Sequence, residues 1–195
     1  MKLASLRGAE RDGELVIVDR KLARYIAVPQ IAPTLQAALD RWNEVEPRLR
    51  AAAAQLESAD SAAARPFDAR ACAAPLPRAY QWLDGSAYLH HVELVRKARG
   101  AQMPASFLTD PLMYQGGSDV LLGACDAAAF VSEEHGIDLE AEVAVVTDDV
   151  PLGWIPAGSD GIDPEPDCAT CATEECFELL SRARRFKSAR NSSAD

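Results

Sequence analysis

The sequence has little of what a membrane protein or a nucleic-acid-binding protein needs. No apolar stretch among its 195 residues approaches the ~18–20 residues that cross a bilayer as a helix. Basic residues are also in the minority, since 20 Lys and Arg stand against 30 Asp and Glu and give a formal net charge of −10. A surface of that sign repels phosphate backbones and anionic lipids, so we expect neither nucleic acid nor a membrane as a partner.

Cysteine is scarce and odd in number, with five residues in the chain. The first eight residues are not followed by an apolar segment such as a secretory signal peptide has. We therefore expect a cytoplasmic protein with reduced thiols. The rest of the composition, 48% hydrophobic and 26% charged, is that of a globular protein with one ordinary domain or two small ones.

The first part of the chain carries strand signals. Two short runs rich in β-branched residues, 15–18 and 25–28, follow a weakly alternating segment at 1–6. Asp12-Gly13, between the first two of these three segments, is a strong hairpin signal. This pattern predicts a small antiparallel β unit over residues 1–29.

An amphipathic helix is predicted next. Apolar residues recur at steps of three and four over residues 35–49, and Thr34 stands where it could cap the helix. Pro47 is expected to kink this helix or divide it in two, because proline removes one backbone donor. Residues 58–70 carry few large apolar side chains and are predicted to be a linker.

The middle of the chain predicts a second helix over residues 86–97, with Gly100 as its stop. Short strands are expected at residues 107–108 and 112–114, and a glycine-containing loop at 115–119.

Two kinds of candidate functional side chain lie in this middle part. His90 and His91 are adjacent, so on a helix they diverge by about a quarter turn and do not converge on one metal ion. Either could act as a general base near neutral pH, or could simply lie on the surface or in the core. Tyr114, ahead of Gly116-Gly117, could reach a ligand over a closely approaching backbone or could be a core residue at the end of a strand.

Residues 136–146 are the most informative segment, because they alternate with a period of two like a strand. Glu140 and Glu142 would project from the same face, with Cα atoms ~7 Å apart. Paired carboxylates suit a hard divalent cation such as Mg²⁺ or Ca²⁺, and without a cation they would repel each other. The alternative is the wet face of an edge strand on which both glutamates are solvated.

Three separate segments resemble bacterial members of the fumarylacetoacetate hydrolase family: 80–100, 110–119 and 136–145. The opening, residues 1–39, resembles the small N-terminal domain of those members. The resemblance implies an α+β fold in which a small N-terminal antiparallel β unit with a helix precedes the first part of a mixed β-sandwich or β-roll catalytic domain.

On this resemblance the chain divides into an N-terminal domain over residues 1–72, an incomplete catalytic domain over 73–153, and a tail over 154–195. The family's third carboxylate ligand and its active-site lysine are not recognisable in the tail. We interpret the tail as foreign to the family, as a reading-frame shift or a gene truncation would produce.

The tail has two features of its own. Cys168, Cys171 and Cys176 are one ligand short of a structural zinc site, so a zinc-binding function would need a ligand from elsewhere in the chain. Residues 174–187 are predicted to form an amphipathic helix.

The resemblance also implies an activity. Family members are metal-dependent hydrolases, known in aromatic amino acid catabolism, that cleave a carbon–carbon bond in a β-dicarbonyl keto acid such as fumarylacetoacetate or an acylpyruvate. Glu140 and Glu142 would then be ligands of Mg²⁺ or Ca²⁺, and Tyr114 would contact the keto-acid substrate. His90 or His91 would be the candidate catalytic base.

The chain departs from the family pattern in the catalytic part. Tyr88-Leu89-His90 stands where fumarylacetoacetate-cleaving members have Tyr-x-Asp, and residues 95–97 lack their catalytic histidine. Two carboxylates hold Mg²⁺ weakly, so we expect the chain alone to be inactive or nearly so.

Other functions of the same ancestry are a non-catalytic interaction module and a lyase of the 2-keto-4-pentenoate hydratase type. The residues do not distinguish a hydrolase from a hydratase, a decarboxylase or an isomerase. Family members commonly dimerise, so a homodimer is also expected.

Overall fold

The computed structural model describes residues 1–58, 62–85, 89–108, 112–118, 121–135, 137–141, 144–147 and 184–187. Contacts group the chain into two compact units. The first unit comprises Met1–Pro77 and Leu122–Asp195, and the second comprises Arg78–Leu121. The predicted domain limits at residues 72 and 153 stay a prediction.

A four-stranded antiparallel sheet is the framework of the first unit. Its strands, adjacent in this order, are β1 (Lys2–Leu6), β2 (Glu14–Val18), β3 (Arg24–Ala27) and β4 (Arg65–Pro66). The antiparallel unit predicted over residues 1–29 is therefore confirmed. Gly13 makes the first turn possible, because its φ is +67° and a Cβ there would lie 2.5 Å from the carbonyl oxygen of Leu6.

Two helices complete the core of this unit, α1 (Leu35–Leu39) and α2 (Trp42–Glu57). The predicted cap is present, since the Thr34 hydroxyl accepts a hydrogen bond from the backbone N–H of Ala37 at 3.1 Å. The buried cluster brings together apolar side chains from strands, helices and the loop between them. It comprises Leu3, Leu15, Ile17, Ile26, Val28, Ile31, Ala32, Leu35, Ala38, Val45, Leu49 and Leu56.

The helical segment is divided between Leu39 and Trp42, and the division predicted as one alternative at Pro47 is wrong. α1 ends at Leu39, and α2 passes through Pro47 without interruption. Val45 and Leu49, which flank the proline at a spacing of four, are both fully buried in the core. Their burial offsets the one backbone hydrogen bond that proline removes.

The linker predicted over residues 58–70 is wrong in part. β4 pairs antiparallel with β3, with Tyr25 opposite Arg65. The backbone N–H of Phe67 then donates to the carbonyl oxygen of Ala23 at 2.9 Å, and its ring packs edge-on against Tyr25. A two-residue strand is too short to show an alternating pattern, so its pairing appears only in three dimensions.

The second unit contains the two-stranded antiparallel sheet of β5 (Trp82–Gly85) and β6 (Met113–Gly116). The predicted helix is found as α3 (Leu89–Ala98), and Gly100 ends it with a φ of +65°. The strand expected at residues 107–108 is wrong, since Ala105–Leu108 is a 3₁₀ helix.

A third pairing joins β7 (Asp138–Ala141) to β8 (Arg184–Lys187) in antiparallel register. The strand predicted over residues 136–146 is thus found over four described residues. The tail helix predicted to end at Lys187 is wrong at its described residues, because Arg184–Lys187 pair as a strand with β7.

The α+β class is confirmed, whereas a larger β-sandwich or β-roll stays a prediction. In the described part of the chain, no helix has the length and apolar character to cross a bilayer.

Candidate functional site

Tyr114, the predicted substrate contact, lies in the middle of β6. It stands opposite Asp84 of β5 in the antiparallel register. Its side chain is 56% exposed, so the alternative of a core residue at a strand end is excluded. Sequence position alone could not separate these two interpretations, because both place the tyrosine beside Gly116.

The aromatic partner of Tyr114 is Trp82, which sequence analysis did not single out as a site residue. Trp82 is opposite Gly116, so it is the diagonal neighbour of Tyr114 on the same face of the sheet. The two rings meet edge to face, with centroids 5.7 Å apart. The indole Nε1–H donates to the carbonyl oxygen of Gly117 at 2.7 Å, which fixes the ring over the end of β6.

Gly116 is required by this packing. A Cβ built on it would lie 1.8 Å from the Trp82 ring. The sequence suggested that a ligand approaches the backbone at Gly116-Gly117. In the structure it is the Trp82 ring that approaches the backbone at Gly116.

The face that carries Trp82 and Tyr114 also carries Asp84, which is half-buried. A phenol is both a hydrogen-bond donor and an acceptor, while a carboxylate only accepts when ionised. The exposed phenol of Tyr114 can thus donate to a carboxylate or carbonyl oxygen of a small ligand. Trp82 and Asp84 are two positions apart, which places them on one face of a strand. The sequence would have shown this if β5 had been predicted as a strand.

His90 and His91 lie in the first turn of α3, and both are exposed. The Nδ1 atom of His90 lies 3.9 Å from a carboxylate oxygen of Glu93, one turn along the helix. Their exposure excludes the interpretation of core histidines. Their role as a catalytic base stays a prediction.

Of the two predicted metal ligands, Glu140 and Glu142, the structure describes only the backbone of the first. The backbone of Glu140 lies in β7, in register with Arg185 of β8, and Glu142 lies outside the described residues. Carboxylate oxygens fit Mg²⁺ or Ca²⁺ in kind, but the two glutamates supply at most four of the about six oxygens that Mg²⁺ coordinates. Across the described segments, no group of three or more His, Cys, Asp or Glu is arranged to hold a metal ion. The metal pair stays a prediction.

A buried carboxylate that sequence analysis did not notice lies at the end of β2. Asp19 is 3% exposed and accepts hydrogen bonds from the backbone N–H of Ala23 at 2.8 Å and from Arg24 Nε at 3.3 Å. Burial acts to raise the pKa of Asp19, but hydrogen bonds from Ala23 and Arg24 outweigh it, and the pKa lies below its usual value. Asp19 thereby closes the loop between β2 and β3, which is a structural role.

The neighbourhood of Asp19 includes a shallow depression lined by Lys21, Ala23, Arg24 and Glu57 besides Asp19 itself. Arg24 is held there by the carbonyl oxygen of Leu56 at 2.9 Å, and Glu57 accepts from the backbone N–H of Arg20. Asp19, Arg24 and Glu57 thus each already make a hydrogen bond within the protein. The depression therefore joins the β2–β3 loop to the end of α2 and does not resemble a ligand site.

No curated protein matches the chain. A family model does match the first part of the chain, over less than half of its length. The last matched residue lies next to Pro77, where the first segment of the first unit ends. The sheet of β1–β4 with α1 and α2 lies inside the matched range. Residues 1–78 match the family model of fumarylacetoacetase N-terminal domain 2.

Proposed function

We propose that the chain derives from the metal-dependent hydrolases of the fumarylacetoacetate hydrolase family and binds a short β-dicarbonyl keto acid. In this proposal Glu140 and Glu142 hold Mg²⁺ or Ca²⁺, and Tyr114 contacts the keto acid. The reaction of the family would be cleavage of a carbon–carbon bond. A lyase of the 2-keto-4-pentenoate hydratase type would use the same metal and keto-acid contacts.

The observation that carries the proposal is the match of residues 1–78 to a domain named for fumarylacetoacetase. It supports the family assignment with evidence independent of the three downstream segments that resemble the family. The exposed phenol of Tyr114 supports the same proposal, because a substrate contact has to reach solvent in the unliganded protein.

The chemistry of the proposed site follows from its residues. The two glutamates would hold a divalent ion, which would supply Lewis-acid chemistry to the dicarbonyl. The Tyr114 phenol would donate a hydrogen bond to the carboxylate of the keto acid, and the Trp82 ring packs against the phenol ring. His90 or His91 would take a proton from the attacking water.

Two carboxylates are few for Mg²⁺, and the aspartate of the family's Tyr-x-Asp motif is replaced by His90. We therefore expect weak metal binding and little or no turnover of an acylpyruvate by the chain alone. Rapid Mg²⁺-dependent turnover that is abolished by Glu142→Ala would contradict this expectation of inactivity while supporting the proposed metal ligands.

Calorimetric titration of Mg²⁺ into the full-length chain tests the metal ligands. We expect Mg²⁺ binding that is lost in Glu142→Gln, because the amide keeps the side-chain shape and removes the charge. Glu133→Gln is the matched control, since Glu133 is exposed and lies outside the proposed ligand pair. Equal Mg²⁺ binding by both variants would overturn the assignment of Glu142.

A second candidate function, a non-catalytic interaction module, is favoured by apolar side chains on the other face of the β5–β6 sheet. Leu83 and Met113 are diagonal neighbours there, and both are about half exposed. A second copy of the chain could cover this face, consistent with the expected homodimer. Sedimentation should then show a dimer that Leu83→Glu with Met113→Glu dissociates and that Gln102→Glu, at an exposed position outside the sheet, does not. A monomeric wild-type chain would exclude this use of the face.

A further inference from the structure

We propose that Cys72 and Cys125 form a reversible disulfide, which ties residues 122–126 to the N-terminal domain when a small-molecule disulfide such as oxidised glutathione is present. The inference does not depend on the proposed catalytic function. It rests on a turn that carries one of the two cysteines and is pinned against the backbone of the other.

The turn consists of Gly123, Ala124, Cys125 and Asp126. The backbone N–H of Asp126 donates to the carbonyl oxygen of Gly123 at 3.0 Å, and the N–H of Gly123 donates to the Asp126 carboxylate at 2.7 Å. These two hydrogen bonds close the turn. Cys125 is therefore held at its third position, one residue from Asp126, and its side chain is exposed.

The turn is seated directly on Cys72. Gly123 is buried, and a Cβ built on it would lie 2.6 Å from the carbonyl oxygen of Cys72 and 3.2 Å from the backbone of Ala73. Only glycine permits this approach. The position two residues before Cys125 is thus in contact with the backbone of the other cysteine.

Arg7 links Asp126, the last residue of the turn, to the backbone of Cys72 by hydrogen bonds. One guanidinium nitrogen, Nη2, donates to the carbonyl oxygen of Cys72 at 3.0 Å and also to the carboxylate of Asp126. Cys72 is itself bridged to Leu6 at the end of β1, and the neighbouring Ala73 N–H donates to the carbonyl oxygen of Ser5. Both cysteines are therefore anchored to one edge of the N-terminal sheet.

The electrostatics of Cys72 agree with the contacts made by the turn. Burial raises the pKa of the Cys72 thiol, and the negative charge of Cys125 raises it further.

The two thiols differ in access, and this difference sets the order of the reaction. Cys72 is 9% exposed, whereas Cys125 is open to solvent. The Cys125 thiolate attacks a sulfur atom of oxidised glutathione, forms a mixed disulfide and releases one glutathione thiolate. Cys72 then loses its proton and attacks Sγ of Cys125, which forms the Cys72–Cys125 bond and releases the second glutathione. Both cysteines are oxidised and one glutathione disulfide is reduced to two thiols.

Incubation of the reduced full-length chain with oxidised glutathione, followed by mapping of the proteolytic peptides, tests the proposal. We expect a Cys72–Cys125 cross-linked peptide that dithiothreitol reverses, together with a rise in the thermal unfolding midpoint. Mapping distinguishes this pair from disulfides among Cys168, Cys171 and Cys176. A cross-link that forms equally fast in urea would show that the fold does not direct it, and would overturn the proposal.

A matched variant moves the exposed thiol out of the turn. Cys125→Ser with Ala127→Cys keeps one exposed cysteine two residues further along the chain. We expect this variant to accept glutathione as a mixed disulfide and to form no cross-link to Cys72. If wild-type Cys125 also stops at the mixed disulfide, with Cys72 unreacted, the proposal is wrong.

Discussion

Trp82 and Tyr114 meet edge to face across the β5–β6 sheet, with ring centroids 5.7 Å apart and ring planes at 60°. The contact holds the tyrosine ring at a fixed place on the sheet although the side chain is mostly exposed. A tyrosine that is both held and exposed suits recognition of a small polar ligand, because little side-chain freedom is lost when the ligand binds.

Gly116→Ala should displace the Trp82 ring, since the added Cβ would lie 1.8 Å from it. We expect a loss of about 1–3 kcal/mol in the free energy of unfolding and a shift of the Trp82 indole N–H resonance. Gly85→Ala is the control in the same sheet, because a Cβ there meets no atom within 4 Å. An unchanged Trp82 resonance in Gly116→Ala would contradict the packing described for this face.

Tyr114→Phe should weaken keto-acid binding and leave stability unchanged, because the ring contact with Trp82 is kept and only the hydroxyl is lost. A hydrogen bond to a charged group contributes about 1.5–3 kcal/mol, so oxalate affinity in the presence of Mg²⁺ should fall about tenfold or more. Tyr80→Phe, at another exposed tyrosine, should leave the affinity unchanged. Equal affinities in all three proteins would remove Tyr114 from the site.

Asp19→Asn should destabilise the first unit by about 1–3 kcal/mol at neutral pH, because it weakens the hydrogen bonds that close the β2–β3 loop. The pKa of Asp19 is lower in the folded protein than in the unfolded chain, so its ionised form stabilises the fold above the usual carboxyl pKa. That contribution is lost as the pH falls through the lowered pKa of the folded state.

Urea unfolding of the wild type and Asp19→Asn across acidic pH checks the sign of this effect. The difference in unfolding free energy between the two proteins should shrink as the pH falls below the usual carboxyl pKa of about 3.9. Glu10→Gln, at an exposed carboxylate, should track the wild type at every pH. A difference that grows on acidification would show that the sign is wrong.

Gly13→Ala should cost about 1–2 kcal/mol or more, because an L-residue is strained at a φ of +67° and its Cβ would lie 2.5 Å from the Leu6 carbonyl oxygen. Gly8→Ala is the matched control in the same connection, where the nearest atom to an added Cβ is 3.5 Å away. The thermal unfolding midpoints of the two variants and of the wild type are compared. Equal midpoints would contradict the described turn.

Local signals in the sequence predicted much of the first unit. Asp12-Gly13 marked the first turn, Thr34 marked a helix cap, and the apolar spacing over residues 35–49 marked the buried helical faces. Each of these signals depends on neighbours a few positions apart, so the sequence alone contains the information.

Pairings between distant residues were not predictable in the same way. β4 and β8 are short strands recognised only by their partners, so one was read as part of a linker and the other as part of a helix. The position of Tyr114 was predicted, but its packing against Trp82 depends on the register between β5 and β6. Gly123 and Cys72, which are in contact, are 51 positions apart in the sequence. No local periodicity of the sequence predicts a contact over that separation.

The oxalate affinity of the full-length chain, measured by calorimetry with and without Mg²⁺, is the most direct test of the proposed keto-acid site. Oxalate presents two adjacent carboxylate groups to a metal ion and mimics the keto-acid end of the substrate. The proposal predicts binding that requires Mg²⁺ and disappears in Glu142→Gln. No heat of binding with Mg²⁺ present, or oxalate binding that is the same without the metal, would contradict it.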